Sequence, residues 1–470
     1  MIYIEIDRKK NIPLVRQVYS QLSKKILSGV LESGEKLPSS RALSEHLEVS
    51  RNVILEAYDQ LFAEGYITAR EGSGTYVSDG TYLENYSVKK LSPKKPIVGL
   101  RHEPNENIVD FRTGVPDLSL FPIKKWGSLY KRVCEDISSY NLDYYEPRGC
   151  YELRYELSQY LNRSRGVVSS PEQIFITTGA AQAFTLTSRI LLGKDKHVIV
   201  EDPINNDILK IIRNTGAIVH AIPVDEQGIV TNKLPSDIRA SYIFTTPSHQ
   251  FPTGGILSIK RRIELIHFAE KSEGYVVEDD YDSEYRFAGS PISSLQSLSP
   301  ERVIYVGTFS KTLYPALRIG YIVLPKELEK RFSKAKHLED LHSPVLEQIT
   351  LAKFISEGLL SRHINVSRKA YSEKRNHLEG ELIRVFGSGV KIKGNLTGIH
   401  LIAKFGEYRF DPSIFDRFLD FGIRLYPIDI HAINKGLYEN TLMLGYGNLS
   451  KQQISLGVER LYKAVNELAL

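Results

Sequence analysis

Lys311 ends the apolar run RVIYVGTFSK (302–311), with Thr308 and Ser310 just before it and Arg318 seven residues after it. An unprotonated lysine amine is a nucleophile for a carbonyl carbon. Hydroxyls beside a guanidinium, whose charge is fixed, suit a phosphate. Some thirty residues upstream, Asp279 and Tyr281 end a second apolar run, YVVEDDY (275–281). A carboxylate there suits a ring nitrogen that must stay protonated, and a phenol suits a ring oxygen. Between the run QIFITTG and a helical pattern stand Ala180, Ala181 and Gln182, whose amides at a helix start form an anion site.

Each element has a plainer reading: a solvated lysine at a strand end, an exposed turn aspartate, a packing tyrosine. Their order and spacing together meet the needs of pyridoxal 5'-phosphate (PLP). That cofactor needs a Schiff-base lysine, an acid for the pyridine nitrogen, a donor to the ring hydroxyl, a phosphate cup and a flat cover.

These groups need a scaffold that brings strand ends together. Apolar runs recur at 173–179, 197–203, 241–247, 275–281, 302–311 and 318–325, several separated by helical patterns such as 183–192, 207–215 and 259–272. Apolar strands alternating with helices predict an α/β fold with a largely parallel sheet covered on both faces. In such sheets ligands sit beyond the strand C-termini, where Thr178, Asp202, Ser248, Asp279 and Ser310 cluster.

The first 78 residues read differently. Leu14, Val18, Leu22 and Ile26 fall on one face of a helix over 13–28, a short helix follows over 40–47, and Ser50 is placed to cap a third over 51–64. Tyr66–Val77 alternates around Gly72 and Gly74, as a two-stranded wing does. In a helix-turn-helix the second helix presents its N-terminal residues to base edges. Here those residues are Ser50, Arg51 and Asn52, and Arg and Asn pair with guanine and adenine. Arg41 is placed for a phosphate or a base edge. Charge adds no argument: residues 1–78 hold ten Lys/Arg and ten Asp/Glu, and the whole chain is +5. A three-helix-plus-hairpin domain that binds protein fits these residues equally well. The predicted division is a DNA- or protein-binding domain over 1–78, a linker over 79–107 rich in proline and lysine, and an effector domain over 108–470.

Apolar content of 42% and charged content of 25% are those of a globular protein. No apolar run is long enough for a membrane span. The N-terminus lacks signal-peptide order. Cys134 and Cys150 lack metal-site spacing and fit a reducing cytoplasm. No metal is expected.

The run GEKLPSSRALSEHLEVSRNVILEAYDQLFAEGYITAREGSGTYV closely resembles the winged-helix domain of the GntR family. The resemblance implies that Arg41, Ser50, Arg51, Asn52, Gly72 and Gly74 contact double-stranded operator DNA. Leu55 departs from relatives that carry arginine on the recognition helix. Residues 108–470 resemble the fold-type I aminotransferases through YYEPRGCYELR (144–154), RGV (165–167), TPSHQFPTG (246–254) and RIGY (318–321). This implies a large domain with a mostly parallel sheet, a small C-terminal α+β subdomain, and Tyr144 reaching the phosphate bound by a partner subunit. With DFRTGVPD (110–117) and EDDYDSEYRF (278–287), the whole chain resembles the MocR/GabR-type regulators. Such regulators are head-to-tail homodimers that bind operator half-sites and sense PLP or an amino compound through the lysine aldimine. The resemblance implies a regulator, with any residual transaminase half-reaction secondary. The alternative is a working aminotransferase with an appended DNA-binding domain.

Three departures bear on the ligand. EDPIN places Asn205 where aminotransferases stack an aromatic ring on PLP, and Phe251 replaces the asparagine before P-T-G. Asp207 stands where GABA-responsive relatives carry an arginine. His431 falls loosely near where a second such arginine is expected.

Overall fold

The computed structural model describes residues 2–83, 86, 107–289, 292–410 and 412–468. Its contacts divide the chain into two units, Met1–Glu103 and Pro104–Leu470.

The first unit is three helices, Leu14–Leu27, Ser40–Leu47 and Arg51–Ala63, followed by a hairpin. The hairpin strands Ile67–Arg70 and Gly74–Val77 pair antiparallel. Val18, Leu22 and Ile26 on the first helix pack with Ile54, Ala57 and Leu61 on the third, and Leu43, Ile67 and Val77 complete one core. Of the predicted face, Val18, Leu22 and Ile26 point inward, while Leu14 is half-buried outside this core. Ser39 caps the second helix by accepting from the Ala42 N–H at 3.2 Å. Glu48, at φ 52°, then reverses the chain in the left-handed region. The Tyr58 hydroxyl donates to the Pro38 carbonyl at 2.8 Å and ties the third helix to the start of the second.

Of the linker read over 79–107, residues 84–85 and 87–106 lie outside the described residues. Its first part turns back on the helical core, with the Leu83 N–H donating to the Leu27 carbonyl at 3.0 Å.

The second unit is built on an eight-stranded sheet. Its spatial order is Ile174–Thr177, Gly320–Val323, Val303–Thr308, Tyr275–Asp280, Ala240–Thr245, His197–Asp202, Ile218–Asp225 and Gly228–Ile229. The five strands from Val303–Thr308 to Ile218–Asp225 are parallel, and Gly320–Val323 runs against both of its neighbours. Tyr275–Asp280 and Val303–Thr308 are buried throughout, which is why they read as continuous apolar runs. Phe175, Val198, Val200 and Val277 pack under helices Ala180–Leu191 and Asn206–Arg213 on one face. Ile199, Val276 and Val303 pack under helix Ile259–Lys271 on the other.

A smaller subdomain carries a four-stranded antiparallel sheet ordered Val390–Lys393, His400–Phe405, Thr441–Gly445 and Tyr426–Pro427. Helices Leu359–Phe386 and Lys451–Glu467 cover it around Leu378, Leu382, Val458 and Leu461. Val109–Asp110 pairs parallel with Ile423–Arg424, so the segment just after the linker belongs to this subdomain. Among the described residues, no helix is long and apolar enough to cross a membrane.

Candidate functional site

The C-terminal ends of the parallel strands open into a cavity of about 310 Å³. Its lining includes Lys311, Asp279, Tyr281, Thr308, Ser310, Arg318, Ala180 and Ala181. Eight of the ten residues expected to bind the cofactor therefore share one hollow. Gln182 stands one step behind it, accepting from the Thr178 N–H at 2.9 Å and donating to Asp340 at 2.9 Å. It fixes the turn into helix Ala180–Leu191 rather than facing the cavity.

Lys311 lies three residues past the end of strand Val303–Thr308. Its Nζ donates to the Gly114 carbonyl at 2.6 Å. A Cβ on Gly114 would lie 2.7 Å from Nζ, so the approach requires glycine, whose φ is +71°. Burial lowers the Lys311 pKa from its ordinary value, Arg112 lowers it further, and Asp282 and Asp279 oppose the shift.

An anion cup lies at one end of the cavity. Helix Ala180–Leu191 starts there, and the first N–H groups of a helix have no intrahelical partner. The Arg318 Nη2 donates to the Thr178 carbonyl at 2.6 Å, and a Cβ on Gly179 would lie 2.9 Å from that nitrogen. Thr308 Oγ1 accepts from the Ser310 N–H at 3.2 Å and donates to Ser310 Oγ at 3.1 Å. Backbone amides, two hydroxyls and a guanidinium that a side chain on Gly179 would displace form the donor set a phosphate takes.

Asp279 is buried, and its side chain accepts no hydrogen bond from the described residues. Desolvation, reinforced by Asp280, Asp282 and Glu201, raises its pKa well above the ordinary carboxylate value. A protonated ring nitrogen would give this carboxylate its missing partner. The Tyr281 hydroxyl donates to the His249 carbonyl at 3.0 Å and lies 3.1 Å from His249 Nδ1. A phenol has one proton, so in this arrangement Tyr281 faces the cavity as an acceptor.

Other expected residues have different surroundings. Tyr144 is 81% exposed and does not line this cavity. Asn205 lines it, but its side chain caps helix Asn206–Arg213 by accepting from the Asp207 N–H at 2.9 Å. Asp207 reaches the cavity rim and pairs with Lys210 at 3.2 Å. His431 is half-buried with its ring 4.9 Å from the Phe251 ring, and desolvation lowers its pKa to about 4. Asp202 and Ser248, grouped with the site by position, are structural. Asp202 accepts from the Ile433 and Asn434 N–H groups, and Ser248 accepts from Arg165, which also pairs with Asp280 at 2.7 Å.

Sequence reasoning did not single out Gly114, His249, Asp282 or His400. His249 and Asp282 lie inside TPSHQFPTG and EDDYDSEYRF, motifs used for likeness without a chemical reading of each position.

In the N-terminal unit, Arg41, Ser50, Arg51 and Asn52 are exposed at adjoining helix starts. Ser50 occupies the N-cap position, yet its side chain makes no capping bond and is free to meet another group. Arg51 Nε donates to Ser40 Oγ at 3.3 Å, and Arg41 pairs with Glu45 at 3.3 Å. Gly72 and Gly74 form the exposed tip of the hairpin.

Two family models match the chain: bacterial regulatory proteins of the gntR family over residues 14–77, and aminotransferase class I and II over residues 106–411. The chain is 33% identical to the uncharacterized HTH-type transcriptional regulator YdeL of Bacillus subtilis (strain 168), over 98% of both proteins. It is 32% identical to the probable rhizopine catabolism regulatory protein MocR of Rhizobium meliloti, over 98% of this chain and 95% of the relative. Among solved structures, the Pyrococcus horikoshii kynurenine aminotransferase in complex with PMP superimposes with a TM-score of 0.72 at 26% identity, over 77% of this chain and 92% of the other. A winged helix-turn-helix and an aminotransferase fold, joined in one chain along the full length of named regulators, place this protein in the MocR-type family of DNA-binding transcriptional regulators.

Proposed function

We propose that the C-terminal unit binds PLP and that an amino compound taking the place of the Lys311 amine on it is the signal that alters operator binding. The observation that carries this reading is the single cavity shared by a half-buried amine, a carboxylate that accepts no hydrogen bond from the described residues, and an anion cup. Bound PLP supplies an aldehyde carbon that exchanges one amine for another, and a ring that withdraws electrons. Lys311 holds the aldehyde end, and Asp279 meets the ring nitrogen. Tyr281 faces the ring oxygen. Thr308, Ser310, Arg318 and the Ala180 and Ala181 amides hold the phosphate, with Gln182 bracing their turn. Tyr144 completes the phosphate site of a partner subunit in a head-to-tail homodimer. Arg41, Ser50, Arg51, Asn52, Gly72 and Gly74 contact the operator half-sites. An amino compound shifts the protein between two states only through its different affinity for each.

Asp207 at the cavity rim repels a carboxylate, so the effector is not GABA. Saturable binding of GABA coupled to operator affinity, seen by calorimetry, would refute that assignment. The aminotransferase-like fold supports a second reading, turnover of amino acids. Steady-state transamination across an amino-acid panel separates the two, and the regulator reading expects no more than a half-reaction. The main test is Lys311→Ala. It should remove the visible absorption band and the borohydride-fixed cofactor while leaving the N-terminal helices folded by circular dichroism. Cofactor retained and fixed at another lysine would overturn the assignment.

A further inference from the structure

We infer that Asp282 and His249 form a buried hydrogen-bonded pair that sets the protonation of the Lys311 amine. In the PLP-binding reading, on which this extension rests, the pair also sets how readily that amine yields to an incoming one. His249 and Asp282 are 2% and 1% exposed. His249 Nδ1 lies 3.0 and 3.1 Å from the two Asp282 oxygens. A carboxylate only accepts, so the ring carries a proton on Nδ1. Among the described residues, Asp282 accepts no other side-chain hydrogen bond. Among the described residues the second ring nitrogen, Nε2, is buried without a partner. His249 therefore donates through Nδ1 to the Asp282 carboxylate and its charge.

That charge faces the cavity that holds Lys311. Of the charges acting on the amine, Asp282 weighs more than Asp279, and Arg112 opposes both. The other polar neighbours are held in place. The Tyr281 hydroxyl is bonded to the His249 carbonyl at 3.0 Å. The His400 ring lies 4.8 Å from the His249 ring, tilted by 33°, and donates through Nε2 to the Pro252 carbonyl at 3.4 Å. The Tyr446 hydroxyl donates to the Gly398 carbonyl at 2.8 Å, and Glu201 is bonded by Thr245 and Thr246. Asp282 is thus the anion whose charge is divided between a fixed donor, His249, and the amine. Its hydrogen bond to His249 determines how much of that charge the amine feels.

The experiment measures the amine with and without cofactor. Full-length protein is reductively methylated with formaldehyde and cyanoborohydride across a pH series, and the Lys311 peptide is quantified by mass spectrometry. The same proteins are loaded with PLP, and the visible band is followed against pH. Asp282→Asn, which keeps the shape and removes the charge, should lower both midpoints by about one pH unit. His249→Phe, which removes the donor, should move them the opposite way. His249→Asn, which restores an amide near the place of Nδ1, should return them toward wild type. A purely structural role predicts unchanged midpoints in every variant that folds, and an unmoved midpoint in Asp282→Asn overturns the inference. Methylation needs no cofactor. A wild-type protein that takes up no PLP therefore sinks the cofactor reading, while the Asp282→Asn methylation midpoint still decides this one.

Discussion

A carboxyl group buried among other carboxyl groups is destabilising until a cation reaches it, and Asp279 stands in that position. Its folded-state pKa is raised, so below the unfolded value it is protonated in both states and has no effect on stability. As pH rises through the folded value, the charged form is forced into the cavity and the cofactor-free protein loses stability. Asp279→Asn should therefore raise the melting temperature of the cofactor-free protein by a few degrees at neutral pH. Calorimetry should show this gain disappearing as pH falls to about 4, near the unfolded carboxylate pKa. The same variant should bind PLP more weakly, because a neutral amide holds a pyridinium less well. At this scale the sequence revealed which residues meet, because the end of an apolar strand has a predictable place in a parallel sheet. It did not reveal which hydrogen bonds they make. Tyr281 looked like a free donor, and only the fold shows its proton taken by the His249 carbonyl.

Helix starts govern both ends of this protein. Gly179 opens the helix at the anion cup, and Ser39 and Ser50 open the second and third helices of the DNA-binding module. Ser39→Ala removes a capping bond and should destabilise the N-terminal unit by about 1 kcal/mol. This would appear as an earlier thermal transition by circular dichroism, with an unchanged cofactor spectrum. Arg51→Ala should weaken operator binding by roughly 1–3 kcal/mol in a fluorescence titration, and unaltered affinity would place Arg51 outside the interface. The first and third helices of that module were readable within a residue because apolar period and terminating glycine agree. The strand Ile218–Asp225 was not. Its side chains are largely half-buried, and IVHAIPVD carries His220 and Pro223, so it lacks both a continuous apolar run and clean alternation. The role of Asn205 was equally hidden, since capping the following helix leaves no signature distinct from lining the cavity.

For the molecule as a whole, the proposed dimer makes a prediction a monomer does not share. Tyr144 is exposed and away from the cavity of its own chain. Tyr144→Phe should nonetheless weaken PLP binding roughly tenfold, about the worth of one hydrogen bond to a charged group, without changing the sedimentation of the protein. Titration of the visible band checks this, and wild-type affinity would remove Tyr144 from the partner's site. The Lys311 bond to the Gly114 carbonyl has a wider consequence. Gly114 sits seven residues beyond Asn107, in the stretch that leads from the linker into the small subdomain by way of Val109–Asp110. A molecule that occupies the amine also breaks its bond to the backbone just past Val109–Asp110, so the chemical event reaches the stretch that enters the small subdomain.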